Sequence, residues 1–375
     1  MKIGIVCYPT FGGSGVVATE LGMALADKGH EVHFITYNQP VRLDFLSHKL
    51  HFHQVLIEEY PLFQYQPYEL ALSSKMVEVV EKHQLEVLHV HYAIPHAYAA
   101  YMAKQMLLEK GLYVKVVTTL HGTDITLVGS HPTYKTAVEF SINNSDVVTA
   151  VSNNLKQTTN GLFNINKNIE VVYNFIDVEK YNKAEDEECK RAALAKPNER
   201  ILTHISNFRP VKRVEDVIKV FYEVQKEIPS KLLMIGEGPD RKKAEILTKK
   251  LGISSKVFFL GNSTEIDKIL CYSDVFLLPS QTESFGLAAL EAMAAKTAVI
   301  STNTGGLPEV NIHGQTGYLS NLGDVNDMAK NAISILKDNY VLERFKLNAK
   351  EHTKKFSLQN ILPVYEDIYK SCYKQ

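Results

Sequence analysis

The sequence predicts an α/β protein with two Rossmann-like, doubly wound parallel-sheet domains that face a central cleft, and three observations support this. The chain has 375 residues, which is too many for one ordinary hydrophobic core and fits two domains. Apolar runs rich in Val and Ile alternate with segments of helical period, as in parallel sheets covered on both faces. The alternation then restarts in the second half. We predict domains at 1–170 and 171–357, with a C-terminal helix at 358–375 that packs back on the first.

The individual strands are predicted from short apolar runs. In the first half these runs are KIGIVCY, EVHFITYN, LHFHQVLI, LEVLHVHYA, YVKVVTTLHG and DVVTAVS. In the second half they are RILTHIS, KLLMIGEG, KVFFLGN, DVFLLPS and TAVIST. Segments such as GVVATELGMALADKG have the period of helices. We place the domain junction near VVYNFID, because the charged segment that follows it lacks strong periodicity.

Composition and charge exclude several classes of protein. With 45% apolar residues, 22% charged residues and a formal net charge of −1, the chain is typical of a soluble globular protein. Nucleic acid is disfavoured as a partner because phosphate backbones require a basic surface. No apolar run approaches the ~18 residues that span a membrane, and MKIGIVCY is too short for a signal peptide. The scattered cysteines favour reduced thiols in the cytoplasm: Cys7, Cys189, Cys271 and Cys372.

A glycine-rich loop follows the first predicted strand, in YPTFGGSGVVATELG. Gly13, Gly15 and Ala18 satisfy the G-x-G-x-x-G/A pattern of dinucleotide-binding proteins, which favours a dehydrogenase. That class also needs a carboxylate after the second strand, where this chain has Asn38, so we keep the dehydrogenase only as an alternative. The amides of residues 12–14 at a helix start suit an anion. A tight turn without a ligand is the other interpretation.

Two loops of the second half carry charges where strands end, which is where parallel sheets bind ligands. THISNFRPVKRVEDVI places Arg209, Lys212 and Arg213 in one loop, where Arg209 could contact two phosphate oxygens and Lys212 one. A solvated charge run is the alternative. In QTESFGLAALEAMAAK, a helix begins near residues 285–287 and offers free amides to an anion.

The same apolar helix contains a lone carboxylate, Glu291, with no Lys or Arg three or four residues before it. Desolvating such a charge is costly unless a partner is present. We predict that Glu291 accepts hydrogen bonds from vicinal ribose hydroxyls, and that Glu283 does so for a second polyol, with a diphosphate between them. The alternative is that Glu291 is a surface or ion-paired residue.

Several motifs occur together: Glu283 and Glu291 in E-x7-E spacing, HGTD after a first-half strand, GGSG near the start, and TGGLPEV. The combination resembles the retaining GT-B glycosyltransferases of group 1 over essentially the whole chain. Within that family, CYPTFGGSGVVATELG, HVHYAIPHAYAAYMAKQ, TTLHGTDIT, NFIDVEKY and SNFRPVKRVEDVI are most similar to members that transfer N-acetylglucosamine from UDP-N-acetylglucosamine to L-malate. That reaction is the first step of bacillithiol biosynthesis.

The resemblance implies a metal-independent transfer with retention, without a cofactor, and places His121 beside the transferred sugar. Together with the loop residues above, it gives the predicted catalytic set His121, Arg209, Lys212 and Glu283. The predicted donor-binding set is Gly13, Asn207, Arg209, Lys212, Gly261, Glu283, Ser284, Phe285, Gly286, Leu287 and Glu291. The predicted acceptor-binding set is Gly13, Ser14, Tyr92, Thr119, His121, Asn153 and Arg209. In many members the phosphate-binding Arg lies five residues before the Lys, a position that Asn207 holds here.

Other interpretations stay open at this point. The same fold could use another UDP- or GDP-sugar and a lipid or sugar acceptor, and a non-catalytic nucleotide-sugar sensor is a further class. The sequence leaves a homo-oligomer open.

Two histidine pairs, His51-x-His53 and His89-x-His91, place alternate histidines on one strand face. Because no carboxylate or Cys has fitting spacing, we interpret both pairs as strand packing and predict no metal.

Overall fold

The computed structural model describes residues 1–10, 12–43, 47–57, 65–181 and 191–373. The chain divides into two compact units, of which the first is Met1–Asn174 with Ile361–Gln375 and the second is Phe175–Asn360. Each unit contains one sheet whose strands all pair in parallel. The prediction of two doubly wound parallel-sheet domains is therefore confirmed. Cys7, Cys271 and Cys372 form no disulfide, and Cys189 lies outside the described residues.

The first unit is built on a seven-stranded sheet in the order β3-β2-β1-β4-β5-β6-β7. Its inner strand β4 is buried along its whole length, as expected when both faces of a parallel sheet are covered. The strands are β1 Lys2–Val6, β2 Glu31–Thr36, β3 Leu50–Gln54, β4 Val87–His91, β5 Lys115–Leu120, β6 Val147–Ala150 and β7 Ile169–Val171. The helices are α1 Gly13–Asp27, α2 Tyr68–His83, α3 Tyr98–Glu109, α4 Pro132–Asn144 and α5 Asn153–Leu162, with π-helical turns at Ala93–Ala97 and Thr123–Leu127.

The second unit repeats this arrangement with six strands in the order β10-β9-β8-β11-β12-β13. The strands are β8 Arg200–Ile205, β9 Ser230–Ile235, β10 Val257–Gly261, β11 Val275–Leu278, β12 Ala298–Thr302 and β13 Gly317–Ser320. The helices are α6 Arg191–Leu194, α7 Val214–Glu227, α8 Arg241–Lys250, α9 Ile266–Leu270, α10 Leu287–Ala294, α11 Leu307–Val310, α12 Val325–Leu336 and α13 Asn339–Thr353. Short 3-10 turns occupy Pro210–Lys212, Ser254–Lys256 and Lys354–Phe356.

The sequence missed two strands, β7 and β13, and both lie at the edge of a sheet. They contain three and four residues, which is too short for a period of two or an apolar run to stand out. β13 also begins at Gly317, where a Cβ would lie 1.7 Å from the carbonyl oxygen of Val299. The close approach of the neighbouring strand explains a glycine in a strand, and it is a tertiary feature.

The last helix, α14 Leu358–Ser371, joins the first unit from Ile361 onward. Tyr365 and Tyr369 on this helix are fully buried. The hydroxyl of Tyr369 lies 2.8 Å from Nδ1 of His89 on β4, so the helix is hydrogen-bonded to the inner sheet as well as packed on it. No helix in the described ranges is long and apolar enough to cross a membrane.

Candidate active site

The strand order of each sheet determines where a ligand can bind. In the first unit the chain passes from one side of β1 to the other at β4, and in the second unit the same reversal occurs between β8 and β11. Open parallel sheets bind ligands outside the carboxyl ends of the strands at this switch point. A ligand is therefore expected at the loops after β1 and β4 in the first unit and at those after β8 and β11 in the second.

At the switch point of the second unit, Lys212 and Glu283 form an ion pair between Nζ and Oε1. The loop after β8 supplies the lysine and the loop after β11 supplies the carboxylate, which also accepts a hydrogen bond from Ser280 Oγ at 3.0 Å. The backbone N–H of Gln281 donates to the carbonyl of Val211 at 2.7 Å and ties the same two loops together. The sequence prediction gave Lys212 and Glu283 separate ligand partners, whereas the structure brings them into direct contact.

The start of α10 is held by close contacts with the TGGLPEV segment. Gly286 has a φ of +103°, and a Cβ at this position would lie 2.6 Å from Leu307. Gly306 donates its N–H to the carbonyl of Glu283 at 2.9 Å, and a Cβ on Gly305 would lie 1.9 Å from that carbonyl oxygen. The two loops can approach this closely only because the three residues are glycines.

Two predicted donor-binding side chains on this segment are largely shielded from solvent. Phe285 is 2% exposed and its ring lies 5.5 Å from that of Phe356, so only its backbone is available to a ligand. Glu291 is 8% exposed on α10, among the buried residues Ala289, Leu290 and Ala292. Glu291 therefore does not face open solvent, and its binding of a ribose stays a prediction.

The loop after β8 is shaped by a buried histidine that the sequence prediction missed. His204 lies on β8 with Nδ1 2.8 Å from the carbonyl oxygen of Leu277 and Nε2 2.8 Å from Ser206 Oγ. Ser206 in turn accepts a hydrogen bond from the N–H of Phe208. Burial lowers the pKa of His204 to about 4, so the ring is neutral at neutral pH. A polar residue inside the apolar run RILTHIS was the signal that could have identified it.

Three more of the predicted donor residues lie in this loop or at the end of another strand of the same sheet. Asn207 and Arg209 are exposed, and a Cβ on Gly238 would lie 2.0 Å from the carbonyl oxygen of Asn207. Gly261 ends β10, two strands from β8, and its carbonyl accepts the N–H of Gly236 at 2.8 Å. Gly261 therefore lies farther from the switch point than Lys212 and Glu283 do in strand order.

At the switch point of the first unit, Ser14 Oγ lies 2.7 Å from the hydroxyl oxygen of Tyr92. Ser14 is in the first turn of α1, which Gly13 begins, and Tyr92 directly follows β4. The ring of Tyr92 lies 5.2 Å from that of His121. Burial raises the pKa of Tyr92 well above its ordinary value, so its hydroxyl keeps its proton and can donate or accept a hydrogen bond.

His121 of the HGTD motif is 9% exposed and follows β5. Its Nε2 lies 2.8 Å from Nδ1 of His91, so the two rings share one hydrogen. Burial lowers the pKa of His121 to about 3, and the ring is neutral at neutral pH. Asp124 accepts the backbone N–H of Ala93 at 2.8 Å and of Gly122 at 2.9 Å, which joins the loops after β4 and β5. Burial raises the pKa of Asp124 to about 6.

Two further predicted acceptor residues, Thr119 and Asn153, have side-chain partners outside this group. Thr119 is fully buried, and its hydroxyl is 2.7 Å from both His89 Nε2 and Thr149 Oγ1. Its side chain is hydrogen-bonded within the core, and its contact with a ligand stays a prediction. Asn153 begins α5 and is exposed, with its amide donating to the hydroxyl of Tyr173 at 2.9 Å. The structure thus groups Ser14, Tyr92 and His121.

Comparisons with known proteins identify the family. A family model described as "Glycosyl transferases group 1" matches residues 185–352, and one described as "Glycosyltransferase Family 4" matches residues 11–180. The N-acetyl-alpha-D-glucosaminyl L-malate synthase of Bacillus anthracis is 48% identical over 370 residues, which are 98% of this chain and 96% of that protein. The chain belongs to the group 1 glycosyltransferases. This glycosyltransferase is also 25% identical to an uncharacterized glycosyltransferase of Methanocaldococcus jannaschii over 97% of both chains.

Solved structures of other proteins have the same fold. Sucrose-phosphate synthase from Thermosynechococcus elongatus gives a TM-score of 0.80 at 21% identity, over 100% of this glycosyltransferase and 99% of that chain. Anabaena HepE in complex with UDP and glucose gives a TM-score of 0.81 at 18% identity, over 99% and 100%. At these identities the likeness concerns the fold alone, and it confirms the predicted GT-B fold.

Proposed function

We propose that this glycosyltransferase transfers N-acetylglucosamine from UDP-N-acetylglucosamine to the hydroxyl of L-malate, with retention at the anomeric carbon and without a metal ion. The observation that carries the proposal is the 48% identity, over almost the whole chain, to the N-acetyl-alpha-D-glucosaminyl L-malate synthase of Bacillus anthracis. The reaction would be the first step of bacillithiol biosynthesis and would take place in the cytoplasm, with no cofactor.

The second unit is proposed to bind the donor. Lys212 and the amides at the start of α10 lie around the switch point, where they would stabilise charge that develops on the departing diphosphate. Exposed Arg209 on the same loop would add a second cation. Because Lys212 is paired with Glu283, a bound diphosphate would compete with this carboxylate for the ammonium group. Glu283 would then be released to accept a hydrogen bond from a sugar hydroxyl.

The first unit is proposed to bind the acceptor. L-malate carries two carboxylates, and the amides of residues 12–14 at the start of α1 suit one of them. The hydroxyls of Ser14 and Tyr92 lie 2.7 Å apart. Both can donate to the same anion when the hydrogen bond between them is replaced by hydrogen bonds to that anion. Because both hydroxyls are neutral, this site would hold an anion without a buried cation among these side chains.

The proton transfer would not require a basic side chain. As the bond between the anomeric carbon and the phosphate oxygen breaks, the malate oxygen forms the new bond on the same face. The departing phosphate oxygen then takes the malate proton. Neutral His121 would donate or accept a hydrogen bond at the transferred sugar, since its low pKa excludes a protonated ring at neutral pH.

The proposal is tested by incubating the purified protein with UDP-N-acetylglucosamine and L-malate and measuring release of UDP. We expect release that requires L-malate, is much weaker with D-malate, and persists in EDTA, with an α-linked product by proton NMR. UDP-glucose and GDP-sugars in parallel reactions test the choice of donor. Release that is indifferent to malate would contradict the acceptor, loss of activity in EDTA would contradict metal independence, and a β-linked product would contradict retention.

A further inference from the structure

A group of histidines lies at an edge of the first sheet, away from the switch point between β1 and β4. β3 is the edge strand and pairs with β2. His33 on β2 is the direct register partner of His51 on β3, and His53 follows two residues later on the same strand face. His83 is the last residue of α2, and Glu31 is the first residue of β2. Three elements therefore bring these side chains together.

The rings of His33, His53 and His83 face each other at short distances. Their centroids are 5.1 Å apart for His33 and His53, 4.5 Å for His33 and His83, and 5.1 Å for His53 and His83. One ring nitrogen from each lies within 4.8 Å of the others. Nitrogen ligands around a tetrahedral ion at about 2.0–2.1 Å lie roughly 3.4 Å apart. Small rotations of the two less buried rings, His53 and His83, would reach this geometry.

A carboxylate sets the tautomer of the central ring. Nε2 of His33 lies 3.0 Å from Glu31 Oε1, so this nitrogen carries the proton and donates it to Glu31. Nδ1 of His33 then has a free lone pair, and it lies 2.8 Å from Nε2 of His53. A histidine that donates one N–H to a carboxylate and offers the other nitrogen to an ion is the usual second-shell arrangement of metal sites.

The charge state of these rings also suits metal binding. Burial lowers the pKa of His33 and of His53 to about 4, so both are neutral at neutral pH. Lys75 lowers the pKa of His53 further, and Lys2 and Lys82 lower that of His83. Glu78 raises the pKa of His53, and Glu31 raises that of His83. Imidazole ligands select zinc, cobalt, nickel or copper over magnesium or calcium, which prefer oxygen.

We propose that His33, His53 and His83 bind a divalent transition-metal ion of the zinc type, oriented by Glu31, at a site separate from the transfer reaction. The ion would take the place of the hydrogen between His33 and His53. This hydrogen is the Nε2 proton of His53, and it would move to Nδ1 of the same ring. Because the ligands come from β2, β3 and the end of α2, the ion would cross-link the sheet edge to a helix and stabilise the first unit. A second set, Glu31 with His33 and His51, is the competing arrangement.

The test uses Co²⁺ as a spectroscopic probe on the full-length protein after EDTA treatment and desalting. We expect saturable visible absorption from one tetrahedral or five-coordinate Co²⁺ per chain, which Zn²⁺ displaces, and a higher melting temperature with Zn²⁺. His53→Ala and His83→Ala should each abolish the absorption. Glu31→Gln should weaken binding by roughly 10–100-fold. His51→Ala and the exposed His48→Ala are the matched controls and should leave the absorption unchanged.

The variants separate the possible outcomes. Loss of the spectrum in His51→Ala, with retention in His83→Ala, would overturn the proposed ligand set in favour of the competing one. Absence of saturable Co²⁺ absorption in the unaltered protein would overturn the site itself. Equal loss in all variants, including His48→Ala, would assign the signal to non-specific binding. Far-UV circular dichroism of each variant confirms that a lost spectrum is not a lost fold.

Discussion

The two units share one topology but carry different chemistry at the same place in it. In the first unit the switch point joins the neutral hydroxyls of Ser14 and Tyr92. In the second unit the switch point joins a cation and an anion, Lys212 and Glu283. The strand order therefore determines where a ligand can bind, and the loops after the strands determine which ligand.

The units also differ in their buried titratable groups. All but three of the 14 histidines lie in the first unit, the exceptions being His204, His313 and His352. His89, His96 and His121 in the first unit are buried, and burial lowers their pKa values to about 3, 4 and 3. The acid stability of the two units should therefore differ.

The largest expected effect is that acid opens the first unit before the second. The pKa values of His89, His96 and His121 are lowered from 6.5, so the unfolded chain binds more protons than the folded one between that pH and about 4. Each ring should remove more than about 1 kcal/mol of stability per pH unit in this window as the pH falls. Hydrogen exchange followed by mass spectrometry, at a series of pH values and corrected for intrinsic rates, resolves the peptides of each unit.

Asp124 acts in the opposite direction, because its pKa is raised from 3.8 to about 6. Its contribution to stability is complete below 3.8 and is lost as the pH rises through 6, so it offsets one histidine at most. His131→Ala, an exposed histidine of the first unit, is the control and should leave the profile unchanged. Loss of hydrogen-exchange protection at the same pH in both units would contradict the expected difference in their acid stability.

The next effect concerns the ion pair of the second unit. Lys212→Ala should reduce kcat by roughly 10²–10³, the usual loss when one stabilising donor to a developing anion is removed. Steady-state release of UDP measures this. Glu283→Ala should mainly impair transfer and leave UDP binding less affected. Since the two side chains are in contact, the double variant should lose less than the two single losses combined. If the losses of the two single variants simply add up in the double variant, a shared role of Lys212 and Glu283 would be contradicted.

A smaller effect is expected at Glu291. Glu291→Ala should weaken UDP binding by about tenfold to a hundredfold, because hydrogen bonds to a charged group contribute about 1.5–3 kcal/mol. Isothermal titration with UDP alone measures this without turnover. The exposed Glu265 of the same unit gives the control Glu265→Ala, which should bind UDP normally. Unchanged UDP affinity in Glu291→Ala would remove the ribose contact.

The smallest effect is expected at the switch point of the first unit. Ser14→Ala should raise the KM for L-malate by roughly 2–10-fold, the net value of one ordinary hydrogen bond, because Tyr92 can still donate to the same carboxylate. The KM for the donor should change little. Tyr92→Phe should also raise the KM for L-malate. The exposed Ser130→Ala is the control. A Ser14→Ala enzyme with an unchanged KM for malate would exclude this hydroxyl from the acceptor site.

The inner strands could be predicted from the sequence because buried parallel strands are continuous apolar runs, as KIGIV and VLHVH illustrate. The edge strands β7 and β13 could not, since three or four residues carry no clear pattern. Lys212 and Glu283 could each be singled out from their positions after strands. Their contact could not be predicted, because the two residues are 71 positions apart in the chain and meet only when β8 and β11 become neighbours.

By itself the sequence determined which segments form the strands other than β7 and β13, where loops with charged and hydroxyl side chains follow them, and to which family the chain is similar. These features depend on residues close together in the chain. Only the tertiary structure decided which of those side chains meet. It placed Thr119 in the core, paired Lys212 with Glu283, and gathered His33, His53 and His83 at one sheet edge. The physical reason is that such contacts depend on strand order and register, which arise from the packing of the whole sheet.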